Sequence, residues 1–166
     1  ANNQTESNFA QMLDVANNRG FKLALDVEVT SPFVGGSGSV VEMLRHALDV
    51  HANHPAYLRV DGKPVIFFWR QQRFSPGTWQ SIRDQVDPNH NSIWIAEGVD
   101  MSYQSVFDGH HLYTVTWNPP TDVSATANKF SRWVQQARER YGSYRYWVAT
   151  AMPGYNDTRT GRGNAF

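Results

Sequence analysis

Five segments of the chain are nearly continuous runs of apolar residues, and segments with helical spacing separate them. The apolar runs cover residues 21–29, 65–69, 92–97, 111–117 and 146–151. A strand that is buried on both faces has this composition, and strands of parallel sheets are buried on both faces. The pattern therefore predicts a parallel β-sheet of about five strands.

Helices are predicted between these strands, over residues 7–19, 39–51, 75–86 and 126–141, where apolar residues recur at helical spacing. Ser39 is placed to cap the second helix, with Glu42 completing a capping box. Gly20 and Gly142 end the first and the last helix. Strands that alternate with helices indicate an α/β fold built from right-handed crossovers.

Two folds fit this alternation, a doubly wound open sheet and part of a (β/α)8 TIM-type barrel. A strand order that reverses in the middle of the sheet would favour the open sheet. A whole barrel takes roughly 250 residues, so about five strands in 166 residues predict a partial barrel. We expect one α/β domain over residues 1–166, and the loop-like end and the start without a signal-like segment favour a fragment of a larger barrel.

The composition of the chain disfavours several kinds of binding partner and several enzyme classes. The 15 basic and 15 acidic residues balance, which disfavours nucleic acid. No apolar run approaches the length of a membrane helix, so we expect a soluble domain with no membrane partner. The chain has no Cys, no HExxH motif and no GxSxG motif, which disfavours thiolate metal sites, zinc proteases and α/β-hydrolases. We expect neither a metal nor a cofactor, and the sequence indicates no compartment.

Three carboxylates stand at predicted strand ends, where both candidate folds bind their ligands. Asp26 and Glu28 are two residues apart on the first strand and therefore share one face. Glu97 ends the third strand. Glycoside hydrolysis uses two carboxyl groups, or one that acts with help from the substrate, so these three are the catalytic candidates. Each could equally be a structural hydrogen-bonding group.

Aromatic, amide and basic side chains are predicted at the same edge of the sheet. Indole rings stack on sugar faces, whereas a phosphate site would need glycines and basic residues. His110 and His111 are predicted to precede the fourth strand, at the opposite end, with a structural role. The substrate-binding candidates, of which the two tryptophans could also be core residues, are Trp69, Tyr113, Trp117, Asn118, Tyr155, Asn156, Asp157, Arg159 and Arg162.

Three segments resemble a known family in the same order along the chain. HPAYLRVDGKPVIFFW, residues 54–69, resembles the HPxYLxxDGKPVxxxW segment of glycoside hydrolase family 99 and its bacterial endo-α-mannosidase-like relatives. SIWIAEG, residues 92–98, is similar to the family's next strand, and MPGYNDT, residues 152–158, is similar to its PGYxDT turn, after which arginines are usual. The resemblance implies a (β/α)8 barrel, a carbohydrate ligand and cleavage of α-mannosidic or related bonds.

The resemblance also implies a division of roles. In the family, the catalytic carboxylates lie in an NEWHE-type motif after the last strand, and the 166 residues contain no such motif. The chain would then hold strand ends that contact substrate, and we expect no turnover from it alone. The alternatives are a non-catalytic carbohydrate-binding or scaffold domain, and an open α/β sheet with a small-molecule site. A partial barrel leaves unpaired edges, so we expect self-association or completion by another chain.

Overall fold

The structure is a computed structural model that describes residues 3–113, 123–143, 145–151 and 159. Its helices α1 to α4 are Asn3–Arg19, Ser37–Asp49, Pro76–Val86 and Val123–Tyr141. Its strands β1 to β6 are Leu25–Glu28, Arg59–Val60, Lys63–Trp69, Ile93–Glu97, Gly109–His111 and Tyr146–Val148. Short 3₁₀ helices cover His51–Asn53, Gln71–Arg73 and Met101–Ser105. No helix in these described ranges is both long and apolar enough to cross a membrane.

The main sheet has the strand order β1-β3-β4-β5-β6, and every neighbouring pair along it is parallel. The order follows the sequence without reversing, which a doubly wound sheet would not do. Strand β2 pairs antiparallel with the start of β3 through a turn at Asp61 and Gly62, whose φ angles of 50° and 79° suit a tight hairpin. The prediction of a partial (β/α)8 barrel is therefore confirmed.

The main core lies on the outer face of the sheet, beneath the helices. Phe68 on β3 meets Trp79 of α3 edge to face at 5.2 Å and Phe107 at 5.1 Å, and Trp79 and Phe107 are 5.3 Å apart. Each such aromatic pair contributes about 0.5–1.5 kcal/mol beyond its buried area. A smaller apolar cluster of Val65, Ile93 and Ile95 fills the inner face at the opposite end from the strands' carboxyl ends.

A buried arginine fixes the start of β4 relative to β5. The Arg83 guanidinium on α3 donates to the carbonyl oxygen of Ser92 at 3.0 Å, to that of Val106 at 2.6 Å and to the Asp108 carboxylate at 2.8 Å. The same carboxylate accepts the backbone N–H of Trp94 at 2.8 Å. One helix side chain therefore holds the segments that lead into two adjacent strands.

Two sequence predictions are wrong in detail. The fourth predicted strand, 111–117, is instead β5 at Gly109–His111, while 112–113 are not in a strand and 114–117 lie outside the described residues. The first position of β5 is a glycine because a Cβ there would lie 2.6 Å from the Tyr146 carbonyl oxygen. Helix α2 starts at Ser37 after Gly36, with no side-chain cap, so Ser39 is already within the helix and the predicted capping box does not form.

Candidate functional site

The inner face of the sheet collects polar side chains at the carboxyl ends of its strands. The pairing registers set Glu28 beside Trp69 and Glu97 beside His111. Val27 is buried at 5% exposure while both of its neighbours are exposed, which confirms that Asp26 and Glu28 share the inner face. We call this group the rim, and its members are Asp26, Glu28, Trp69, Glu97 and His111.

The backbone of Glu97 is held by two glutamines. The Gln71 side chain, which is fully buried, donates to the Glu97 carbonyl oxygen at 2.5 Å and accepts the Glu97 N–H at 3.1 Å. Gln72 donates to the same carbonyl at 3.0 Å. Gly98, at φ 92°, then donates its N–H to the carbonyl oxygen of His111 at 3.0 Å. The Cα of Glu97 is therefore fixed by hydrogen bonds on both sides, and its side chain is only partly buried.

His111 is a rim residue, which corrects the prediction that it lies at the far end of the sheet. It is paired with Glu97, its ring meets Phe67 edge to face at 5.3 Å, and its Nε2 lies 3.4 Å from the Phe68 carbonyl oxygen. Burial lowers the pKa of His111 more than this hydrogen bond and the carboxylates of Asp26 and Glu97 raise it. The imidazole is therefore neutral at neutral pH and can accept a proton.

His110 points the other way and is fully buried beside Gln104, with which its Nδ1 is hydrogen-bonded. Burial, followed by the neighbouring His111, lowers the pKa of His110 to about 3. It belongs to the outer core, as alternation along β5 requires. The side chains of these two adjacent histidines therefore lie on opposite faces of the sheet.

The Asp26 carboxylate on β1 is influenced by both the protein around it and its charged neighbours. The surrounding protein partly desolvates the Asp26 carboxylate, which raises its pKa. The charge of Glu28 raises the pKa further, and His111 partly offsets both effects. Glu28 accepts a hydrogen bond from the Thr30 hydroxyl at 3.2 Å. A carboxyl group with a raised pKa, next to a neutral imidazole, is suited to moving protons.

An aromatic stack adjoins these carboxylates. The rings of Trp69 and Tyr113 are parallel within 14°, with centroids 4.7 Å apart. The Arg70 guanidinium lies 4.8 Å from the Trp69 ring centroid. Tyr113 is 53% exposed, so its ring is the solvent-facing member of the stack, and it packs against the Trp69 ring. Both residues were substrate-binding candidates, and the structure brings them together at the rim.

The other candidates are not located at the rim by the structure. Arg159 is exposed. Trp117, Asn118, Tyr155, Asn156, Asp157 and Arg162 lie outside the described residues. Sequence reasoning gave neither His111 nor Gln71 a role in the site, because a polar residue inside a strand and a glutamine in a short turn leave no periodic signal.

The strand order and the rim define an arc of a (β/α)8 barrel with a polar and aromatic concave face. A structure of the GH99 endo-alpha-mannosidase from Bacteroides thetaiotaomicron matches 91% of this chain with a TM-score of 0.70 and 23% identity. A second structure of that enzyme, in complex with BIS-TRIS-Propane, matches 92% with a TM-score of 0.71 and 24% identity. The chain covers 46% and 49% of those two chains, less than half of each.

These matches show that the chain has the fold of that barrel over the matched arc. The resemblance predicted from residues 54–69 is thereby confirmed at the level of the fold. No protein-family model matches the sequence, and no curated protein matches it.

Proposed function

We propose that the chain is part of a glycoside hydrolase that acts on α-linked, mannose-type glycans, and that the rim contacts the glycan. The observation that carries this proposal is the exposed Trp69–Tyr113 stack beside the rim carboxylates. Sugars offer apolar C–H faces to aromatic rings and hydroxyl groups to carboxylates. The two matched structures are of an endo-alpha-mannosidase, and the shared fold supports the choice of an α-mannosidic glycan.

Among the three catalytic candidates, the roles follow from their surroundings. Glu97 is the best-positioned carboxylate, because Gln71 fixes its backbone and His111 lies beside it. Desolvation raises the pKa of Asp26, which is the direction that favours a proton donor, and Glu28 is the neighbouring charge. We expect these groups to contact hydroxyls or to assist catalysis in the whole barrel. Turnover by the 166 residues alone is not expected, because they contain no NEWHE-type motif.

Isothermal titration of the chain with an α-mannosyl oligosaccharide tests the proposed site. We expect saturable binding that Tyr113→Ala weakens at least tenfold, which corresponds to about 1.4 kcal/mol. Trp69→Ala should also weaken binding, since Trp69 supports the phenol. Phe21→Ala is the matched control, because Phe21 is also an exposed aromatic residue, at 68% against 53% for Tyr113, and it precedes β1 at the opposite end of the sheet. Equal affinity in the wild type and Tyr113→Ala would remove the support for this site.

The same oligosaccharide tests whether the chain is catalytic by itself. Release of product by the chain that disappears in Glu97→Gln or Glu28→Gln would mean a self-sufficient enzyme. Binding without product release, lost in Trp117→Ala, is the result expected both of a hydrolase part that lacks the catalytic motif and of a binding or scaffold domain.

A further inference from the structure

Three potential metal ligands converge on the outside of the barrel arc, away from the rim. One carboxylate oxygen of Glu6, on α1, lies 2.7 Å from Nε2 of His46 and 2.9 Å from Nε2 of His51. His46 is in the last turn of α2 and His51 begins the 3₁₀ helix that follows. The three ligand atoms all lie within 4.8 Å of one another, and no other such group occurs in the described ranges.

The buried member of this group is held in place by its neighbours. His51 is 5% exposed, and its ring meets Phe9 edge to face at 4.9 Å and His46 edge to face at 5.4 Å. Phe9 also packs against Tyr57 in the apolar cluster between α1 and the 3₁₀ helix. The imidazole of His51 is therefore oriented before any ligand arrives.

The outer two members leave room for exchange with solvent. The side chains of Glu6 and His46 are 33% and 47% exposed. A zinc site with three protein ligands keeps its fourth position for water or another exchangeable ligand. Two imidazoles and one carboxylate suit Zn²⁺, whose bonds to such ligands are about 2.0–2.2 Å long. Ligand atoms around such a tetrahedral ion lie about 3.3–3.6 Å apart. The Glu6 oxygen must therefore move away from both imidazole nitrogens by about half an ångström. The two nitrogens, which lie within 4.8 Å of each other, must settle at the same spacing.

An ordinary hydrogen-bonded histidine–carboxylate pair is the simpler interpretation, and the chain provides one for comparison. His54 Nε2 lies 3.3 Å from the Asp14 carboxylate, again joining α1 to the segment 40 residues later. That pair has one imidazole for its carboxylate. At Glu6, one carboxylate oxygen contacts two imidazoles from two different elements. A cation bound between the three side chains could take the place of these contacts.

We propose that Glu6, His46 and His51 bind one Zn²⁺ ion. The ion would link the first turn of α1 to the end of α2. Sequence patterns do not reveal this site, because its ligands are separated by 40 and 45 positions and match no short metal-binding motif.

The test is a calorimetric titration of the full chain, free of any histidine tag, with zinc chloride in a non-chelating buffer. We expect one equivalent of Zn²⁺ to bind, and Glu6→Gln and His46→Gln each to weaken binding at least tenfold. His54→Gln is the matched control and should bind as the wild type does. Both Glu6 and His46 are partly exposed, so these variants should fold, and circular dichroism checks that they do.

Cobalt provides a second readout that does not depend on the variants. Co²⁺ bound at the site should give the strong visible absorption of a four-coordinate centre, and Zn²⁺ should abolish it. Zn²⁺ should also raise the unfolding temperature of the wild type and His54→Gln, but not of Glu6→Gln. The proposal is overturned if no saturable site is found, if His46→Gln binds like the wild type, or if His54→Gln loses the ion equally.

Discussion

Replacing Arg83 by alanine removes the cation that joins α3 to the segments before β4 and β5. The guanidinium is fully buried, donates to the Asp108 carboxylate at 2.8 Å and lies 4.8 Å from the Trp94 ring centroid. It also donates to the carbonyl oxygens of Ser92 and Val106. The substitution leaves these acceptors without their donor in a place that water cannot easily reach.

The expected loss in the free energy of unfolding depends on which hydrogen bonds each acceptor retains. Breaking a buried ion pair by removing one partner costs about 3–5 kcal/mol. The carboxylate of Asp87, which also lies 3.5 Å from the guanidinium, retains hydrogen bonds from Asn91 and from the N–H and hydroxyl of Ser92. Asp108 retains the N–H of Trp94. We therefore expect the lower end, about 3 kcal/mol in the free energy of unfolding. For a chain of this size, that corresponds to a fall of about 6–12 °C in the unfolding midpoint.

Urea unfolding followed by tryptophan fluorescence measures this loss. Arg132→Ala, at an exposed position on α4, is the control and should change the free energy of unfolding by about 0.5 kcal/mol or less. If Arg83→Ala and Arg132→Ala unfold at the same urea concentration, the buried network does not hold the two strands as described.

Three other predictions concern pH, packing and association. The unfolded chain protonates His110 near pH 6.5, whereas burial and the neighbouring His111 lower its pKa to about 3 in the folded chain. The free energy of unfolding should therefore fall by about 2 kcal/mol as the pH drops from about 7 to about 5. Urea unfolding at several pH values should show that His110→Gln lacks this part of the pH dependence. The same pH dependence in His110→Gln and the wild type would contradict this. Gly109→Ala should lower the free energy of unfolding by about 1–3 kcal/mol, measured by thermal unfolding, because the new Cβ would meet the Tyr146 carbonyl oxygen at 2.6 Å. The control is Gly77→Ala, whose Cβ would have no close neighbour and should not destabilise the chain. Strands β1 and β6 end the sheet, so light scattering at rising concentration should show masses above one chain; a monomer throughout would refute self-association.

The parallel sheet could be predicted because burial on both faces requires apolar residues at every position. Strands β3 and β4 satisfy this rule, with uninterrupted apolar residues over 65–69 and 93–96, and both were predicted near their observed bounds. Strand β5 breaks the rule with a glycine and two histidines, so the apolar pattern placed it too late. That error moved His111 to the wrong end of the sheet.

Tertiary hydrogen bonds set the rest of the candidate site, and they leave no local pattern. Gln71 fixes Glu97 from 26 residues away, and the left-handed Arg70, at φ 58°, turns the chain so that it can. The stack of Trp69 on Tyr113 joins residues 44 positions apart. Residue types at strand ends therefore predicted which groups gather at the rim, but not how they are held.

Nuclear magnetic resonance mapping of glycan binding tests most directly whether the rim is the site. The ¹⁵N-labelled chain is titrated with an α-mannosyl oligosaccharide, and the shifts of backbone amides and of the Trp69 indole N–H are followed. We expect the largest changes to cluster at five residues of the site, which are Glu28, Trp69, Glu97, His111 and Tyr113. Changes that fall instead on the outer helices, or that scatter over the surface, would contradict it.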